Sequence, residues 1–163
     1  MRSGPRWCRS ISTPSSSDVP GRALGIDFGT RRIGYAVSDE LGWVAEPLEV
    51  WARRGLELDL AHLIELCARH EIRRIVIGMP YHLDGRKGES AERAERFVEA
   101  VRLALPAIPT ETIDEALTSW EADERLKARR IKPEDRKRLR DAYAAAVLLQ
   151  EYLDTRRDDS RAQ

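Results

Sequence analysis

The sequence predicts a single α/β domain built on a mixed five-stranded sheet with helices on both faces. Three runs rich in β-forming residues lie between Ala23 and Ala52 and are separated by turn residues, as in an antiparallel meander. Beyond them, apolar residues at helical spacing alternate with short apolar strands. This change from hairpins to helix crossovers indicates that the later strands join the sheet in parallel, with helices covering both of its faces.

The first crossover is predicted directly after the meander. Apolar residues recur there at helical spacing: Leu56, Leu60, Leu63, Ile64 and Cys67. The nearly continuous apolar run 74–80 follows them and is typical of a strand that is buried on both faces. A helix that leads into a buried parallel strand is therefore expected.

The second half of the chain contains the remaining elements. A second helix is indicated by apolar residues at helical spacing: Ala94, Phe97, Val98 and Val101. Residues 109–114 form the fifth strand, and a third helix begins at Thr118, where Glu121 completes a capping box. A last helix begins after Pro133 and runs to about Asp154. The predicted order is βββαβαβαα.

Composition sets few limits on the partners of the chain. Lys plus Arg equals Asp plus Glu at 28 each, so an anionic partner must be bound by local basic patches. No apolar stretch is long enough to cross a bilayer, so we expect a soluble protein with no membrane partner. Cys67 lies among apolar residues and far from Cys8, which favours a buried thiol in a reducing cytosol over a disulfide.

Both ends of the chain are expected to be disordered tails around a folded domain at residues 22–154. Residues 1–21 are rich in Ser, Arg and Pro and have no apolar periodicity, and residues 155–163 are polar. The N-terminal composition also resembles an organelle transit peptide. Because an amphipathic helix is missing, we favour a solvated tail or a misassigned start.

Three acids are candidates for a metal site. Asp27 stands at the centre of the first strand, where an ionised side chain is costly unless it is paired or bound to a metal. Glu115 follows the end of the fifth strand, and ligands gather at strand ends in α/β sheets. Asp141 shares one face of the last helix with Ala145 and Leu148, so its carboxylate should point inward.

Three inward acids without matching basic residues in the core favour a hard cation with oxygen ligands. Mg²⁺ or Mn²⁺ is the natural occupant, and a pair of such ions can promote phosphodiester hydrolysis. Each acid taken alone also fits a structural role. A core Asp often accepts hydrogen bonds, and an acid at a helix start is often a cap, as Asp114 would be.

Four segments resemble, in order, the motifs of the YqgF (RuvX) family: GIDFGTRRIGYAVSD, IVIGMPYHLDG, TIDEALTSWEA and RDAYAAAVLLQEYLD. The resemblance spans about Ala23 to Leu153. It implies a ribonuclease-H-like fold, a cytoplasmic location, divalent-metal dependence and a nuclease that matures the 5′ end of 16S ribosomal RNA.

The resemblance also assigns roles to the three acids. By their positions in the motifs, Asp27, Glu115 and Asp141 match the acids of the family, which implies that they are catalytic and ligate Mg²⁺ or Mn²⁺. Ala116 stands where the family usually has Arg. That departure puts in doubt a contact to phosphate or to a neighbouring carboxylate, but not the metal ligands.

Other functions remain open alternatives. One is a Holliday junction resolvase that acts on branched DNA. Another is an actin-like or hexokinase-like ATPase, since the run 27–30 is similar to a phosphate loop, although the chain is too short for two lobes. A non-catalytic RNA-binding module would suit the basic stretch 125–140 but would have no use for three core carboxylates. The sequence also leaves open whether the protein is a monomer or a homodimer.

Basic residues near the acids are candidate contacts to nucleic acid. They lie in the first turn, in the loop after the fourth strand and just before Asp141: Arg31, Arg32, Arg86, Lys87, Arg136, Lys137 and Arg138. A charge run is often only a solvated helix face, yet one that leads into Asp141 would bring phosphates to the metals. His82 and Asp84 could border the same site, whereas His62 and His70 are expected at the surface.

Overall fold

The computed structural model of the chain describes residues 21–80, 88–115 and 132–162, without the side chains of Asp135 and Arg136. Within these ranges the strands are β1 (Arg22–Phe28), β2 (Arg32–Ser38), β3 (Ala45–Ala52), β4 (Ile72–Met79) and β5 (Thr110–Asp114). The helices are α1 (Leu56–Arg69), α2 (Glu89–Ala104) and α3 (Pro133–Ala162). The third helix predicted from Thr118, with its capping box, lies outside the described residues.

The strands form one mixed sheet in the order β3-β2-β1-β4-β5. Strands β1, β2 and β3 pair antiparallel, whereas β4 and β5 extend the sheet from β1 in parallel. The predicted meander and the two parallel strands that follow it are therefore confirmed. Strand β1 is at the centre, so its side chains are enclosed on both faces.

The two faces of the sheet differ in side-chain size. Leu24, Ile26 and Phe28 of β1 pack with α1 and α2 in one apolar core. Ala23 packs with α3 on the other face, where Gly25 adds no side chain. Because side chains alternate along a strand, Asp27 falls on this second, small-residue face.

Helix α3 lies with its backbone directly against the sheet. A Cβ atom added to Gly34 would lie 2.0 Å from the carbonyl oxygen of Asp141, and one added to Gly25 would lie 2.9 Å from that of Ala145. Ala145 and Leu148 are fully buried, which confirms the inward face predicted for this helix. Glycine in the strands and alanine in the helix together permit the close approach.

Helix α3 runs to Ala162, so the predicted disordered tail at 155–163 is wrong through residue 162. Long-range contacts of its last turns explain the difference. Arg157 donates a hydrogen bond to the Trp43 carbonyl at 3.0 Å and lies over the Trp43 ring, and Nη1 of Arg156 lies 3.7 Å from the carboxylate of Glu111 in β5. Although α3 spans 30 residues, no helix in the described ranges combines the length and apolarity needed to cross a membrane.

His62 is not the surface residue that the sequence suggested. Its ring stacks on Trp51 with centroids 3.8 Å apart, it contacts the carboxylate of Glu49, and its side chain is 14% exposed. Since Trp51 comes from β3 and His62 from α1, only the packing of the helix on the sheet brings the two rings together.

Candidate active site

Asp27 lies at the C-terminal end of the central strand, between two glycines. In the sheet register it is opposite Gly34 of β2 and Gly78 of β4. Neither neighbour has a side chain, so the Asp27 carboxyl occupies the space between the sheet and α3. Asp27 is only 9% exposed, and an isolated charge at such a position is costly.

Glu115 reaches the same face from the end of β5. Its backbone N–H donates a hydrogen bond to the Met79 carbonyl at 3.0 Å, which extends the pairing of β4 with β5 by one residue. A Cβ added to Gly78 would lie 3.7 Å from the Glu115 Cβ, so Glu115 lies beside the glycine that flanks Asp27. Asp114, one residue earlier, falls on the opposite face because strand side chains alternate.

The three acids influence one another electrostatically. Burial raises the pKa of Asp27 to about 9, with further increases from a side-chain hydrogen bond with Glu115 and from the charges of Glu115 and Asp141. The carboxyl groups of Asp27 and Glu115 are therefore in direct contact, and Asp141 is close enough to act through its charge. A proton shared by two carboxyls occupies a position that a cation can take.

Asp141 is presented by α3 and faces a cation from β2. Nε of Arg32 lies 2.9 Å from Oδ2 of Asp141. This oxygen is buried and has no hydrogen-bond partner in the described part of the chain, so the Arg32 N–H is near it without being aligned to it. The sequence pattern does not reveal this pair, because it indicates a nucleic-acid contact for Arg32 and a metal ligand for Asp141.

The ligand set for a metal is not closed in this arrangement. Among residues 21–80, 88–115 and 132–162, no group of three or more His, Cys, Asp or Glu side chains is placed to hold an ion as it stands. The chemistry of the donors nevertheless fits a hard divalent cation: two carboxyls are in contact, and the partly buried third has one buried oxygen without a hydrogen-bond partner in the described ranges. Metal ligation by Asp27, Glu115 and Asp141 stays a prediction.

Three of the predicted basic residues border a cleft next to Asp141. Arg32, Lys137 and Arg138 line a cavity of about 350 Å³, together with one acid, Glu134. Arg31 lies exposed in the β1–β2 turn. Four of the other predicted residues lie outside the described residues: His82, Asp84, Arg86 and Lys87. The side chain of Arg136 is also outside the described part of the chain.

Another cleft, of about 440 Å³, lies at the opposite end of β1. Its lining includes Trp43, Arg74 and Arg157, and none of the three acids borders it. Arg74 is buried there and donates a hydrogen bond to the Tyr152 hydroxyl at 2.9 Å. These contacts join β4 to the end of α3, so we assign this cleft no part in the chemistry.

Arg53 holds the turn between β1 and β2, which carries the residues next to the site. Its Nη1 donates hydrogen bonds to the carbonyls of Thr30 at 3.2 Å and Gly29 at 3.4 Å. Its Nε donates to the carboxylate of Asp59 at 3.2 Å, and Asp59 is fully buried at the start of α1. The turn is therefore fixed to α1. Nothing in the sequence pattern pointed to Arg53.

Comparisons with known proteins place this geometry in context. A family model described as RuvX, Holliday junction resolvase, matches residues 21–155. A relative from Thermosynechococcus vestitus is 40% identical over 139 residues, which are 85% of this chain and 91% of the relative. A relative from Anaeromyxobacter dehalogenans is 43% identical over 135 residues, which are 83% of this chain and 98% of the relative. Both carry the provisional name pre-16S rRNA nuclease.

Solved structures show the same architecture. RuvC of Thermus thermophilus in complex with a Holliday junction substrate has a TM-score of 0.54 at 19% identity, covering 84% of this chain and 96% of that chain. The Fowlpox virus resolvase in complex with Holliday junction DNA has a TM-score of 0.54 at 10% identity, covering 82% and 97%. At these identities the likeness shows the fold alone, and it confirms the predicted ribonuclease-H-like fold.

Proposed function

The chain belongs to the RuvX family of nucleases, and we propose that it hydrolyses phosphodiester bonds at the 5′ end of precursor 16S ribosomal RNA with Mg²⁺ or Mn²⁺. One observation carries the proposal. The buried carboxyl of Asp27 is in contact with the partly buried carboxyl of Glu115, and Asp141 adds a buried oxygen with no hydrogen-bond partner in the described part of the chain. The names of the relatives support the substrate, and such a role places the enzyme in the cytoplasm.

Asp27, Glu115 and Asp141 are the residues that would hold the ions. Bound Mg²⁺ or Mn²⁺ would supply an activated water and neutralise charge on the phosphate. The chain itself contributes position, since each acid is fixed by a different rigid element. Asp27 stands in the central strand, Glu115 extends the β4–β5 pairing, and the backbone at Asp141 rests on Gly34.

The cleft beside Asp141 would bind the nucleic-acid backbone. Arg32, Lys137 and Arg138 offer three cations along its wall against the single acid Glu134. Cations of this kind contact phosphates without reading the base sequence, so they would fix the strand in place and leave selection to its shape. Arg31 lies in the neighbouring turn and would add to the same surface.

The test is cleavage by the purified protein with Mn²⁺ on three labelled substrates: a 5′-extended 16S RNA fragment, a DNA of the same sequence and a four-way DNA junction. We expect cleavage of the RNA, and at least ~100-fold slower cleavage by Asp27→Asn and by Asp141→Asn, because a lost ligand misplaces the metal. Asp114→Asn is the matched control, since Asp114 lies next to Glu115 on the opposite face, and it should keep its activity.

Two results would overturn parts of this proposal. Equal activity in a chelator would remove the metal mechanism altogether. Cleavage of the four-way junction without cleavage of the RNA would instead show a DNA resolvase, the activity named for the structural neighbours.

A further inference from the structure

We propose that Arg32 holds Asp141 out of the metal site until a phosphate of the nucleic acid draws Arg32 away. The inference rests on the proposed function, because it concerns the regulation of the same metal site. Arg32 would thus be a positioning residue, which acts on the reaction through Asp141.

The contact between Arg32 and Asp141 is an ion pair that another partner can replace. Their closest atoms, Nε of Arg32 and Oδ2 of Asp141, are 2.9 Å apart, yet Oδ2 has no hydrogen bond within the described ranges. The pair is therefore held by charge without the directional bond that makes an Arg–carboxylate pair strong. Such a pair neutralises Asp141 but can be replaced by a better partner.

Arg32 is the member of the pair that can move. The backbone at Asp141 is held against Gly34, where even a Cβ would clash with it. The Arg32 side chain is 47% exposed at the first position of β2, whereas that of Asp141 is 24% exposed. The guanidinium can therefore turn outward without opening a cavity.

A phosphate in the adjoining cleft is the partner that would draw Arg32 away. Arg32 lines the same cleft as Lys137 and Arg138, so a backbone phosphate bound there meets its guanidinium. A phosphate accepts two parallel N–H bonds from arginine, which the misaligned contact with Asp141 does not provide. When Arg32 turns to the phosphate, Asp141 becomes free for a cation, and each charge keeps a partner.

This arrangement gives the cation a competitor for Asp141. While Arg32 neutralises Asp141, the cation competes with a guanidinium for its third ligand and is also repelled by it. Metal and nucleic acid should therefore bind cooperatively, with Arg32 as part of the coupling.

The experiment measures Mn²⁺ affinity of the full chain by calorimetry, without nucleic acid. Arg32→Gln should bind Mn²⁺ about 3-fold to 10-fold more tightly than wild type, because a competing cation has been removed. Arg31→Gln loses the same charge one residue away and should stay within about 2-fold of wild type. Arg32→Lys keeps the charge and should bind Mn²⁺ less tightly than Arg32→Gln.

A second titration adds a saturating DNA oligonucleotide, chosen because the proposed substrate is RNA. It should tighten Mn²⁺ binding more in wild type than in Arg32→Gln. Mn²⁺ affinity of Arg32→Gln that equals that of Arg31→Gln, or falls below that of wild type, would overturn the inference. If Asp27→Asn and Asp141→Asn leave Mn²⁺ binding unchanged, the metal site itself is wrong and the proposed function fails first.

Discussion

Replacing Asp27 with Asn should stabilise the metal-free protein and abolish its response to metal. Asn keeps nearly the same shape but does not titrate, so it avoids the proton uptake that burial and the charges of Glu115 and Asp141 impose on Asp27 when the protein folds at pH 7. A structural Asp27, held as a hydrogen-bond acceptor, predicts the reverse, because such a residue loses stability when its charge is removed.

The magnitude follows from the pKa of Asp27, which rises from about 3.9 in unfolded chains to about 9 in the fold. Because the folded state binds the proton more tightly, the contribution of Asp27 to the free energy of unfolding is fully present below about pH 3.9. It falls by up to ~1.4 kcal/mol per pH unit up to the folded pKa. At pH 7 this loss in free energy of unfolding is at most ~4 kcal/mol. Local relaxation reduces this limit, and we expect Asp27→Asn to gain about 1 to 2 kcal/mol in free energy of unfolding.

The assay is thermal unfolding of the wild type, Asp27→Asn and the control Asp114→Asn, in chelator and in millimolar Mn²⁺. In a chain of this size 1 kcal/mol changes the melting temperature by about 2–4 °C, so Asp27→Asn should melt about 2–8 °C higher in chelator at pH 7. The difference should be smaller at pH 5 and larger at pH 8. Mn²⁺ should raise the melting temperature of wild type and of Asp114→Asn only.

Asp27 is a structural residue, and not part of an acid cluster, if Asp27→Asn melts below wild type in chelator or if the difference in melting temperature shrinks as the pH rises from 5 to 8. A mutant that still responds fully to Mn²⁺ would show that Asp27 is not a ligand.

Three further predictions test the surrounding structure. Gly34→Ala should lower the free energy of unfolding in urea by about 2–4 kcal/mol, because its Cβ would lie 2.0 Å from a carbonyl oxygen of α3; an unchanged midpoint would contradict this packing. In a Cys8→Ser background, Cys67 should react with a disulfide reagent at pH 8 only after unfolding, since burial raises its pKa to about 12; rapid labelling of the native protein would contradict its burial. Replacing Lys137 and Arg138 by Ala should weaken nucleic-acid binding and lower its salt slope by ~2, whereas an unchanged slope would make them solvated surface residues.

Much of the fold could be predicted from the sequence because it depends on local periodicity. The alternation in β1 distinguishes a large-residue face from a small-residue face, and helical spacing in α2 marks Ala94, Phe97 and Val101, all of which are buried. The acids also stood out locally, since Asp27 interrupts a core strand and Asp141 lies on an apolar helix face. Their convergence could be inferred only from the predicted topology and the family resemblance.

The sequence by itself determined the five strands and the three described helices, their order and the identity of the three candidate acids, because each of these depends on residues a few positions apart. Only the tertiary structure decided what lies beside them. Sheet register places Gly34 and Gly78 on either side of Asp27, and packing of α3 brings Asp141 to Arg32. The last turns of α3 are likewise held by Trp43 of the distant β2–β3 turn. Such contacts join segments far apart in the chain, and their geometry depends on register and helix position, which no local pattern encodes.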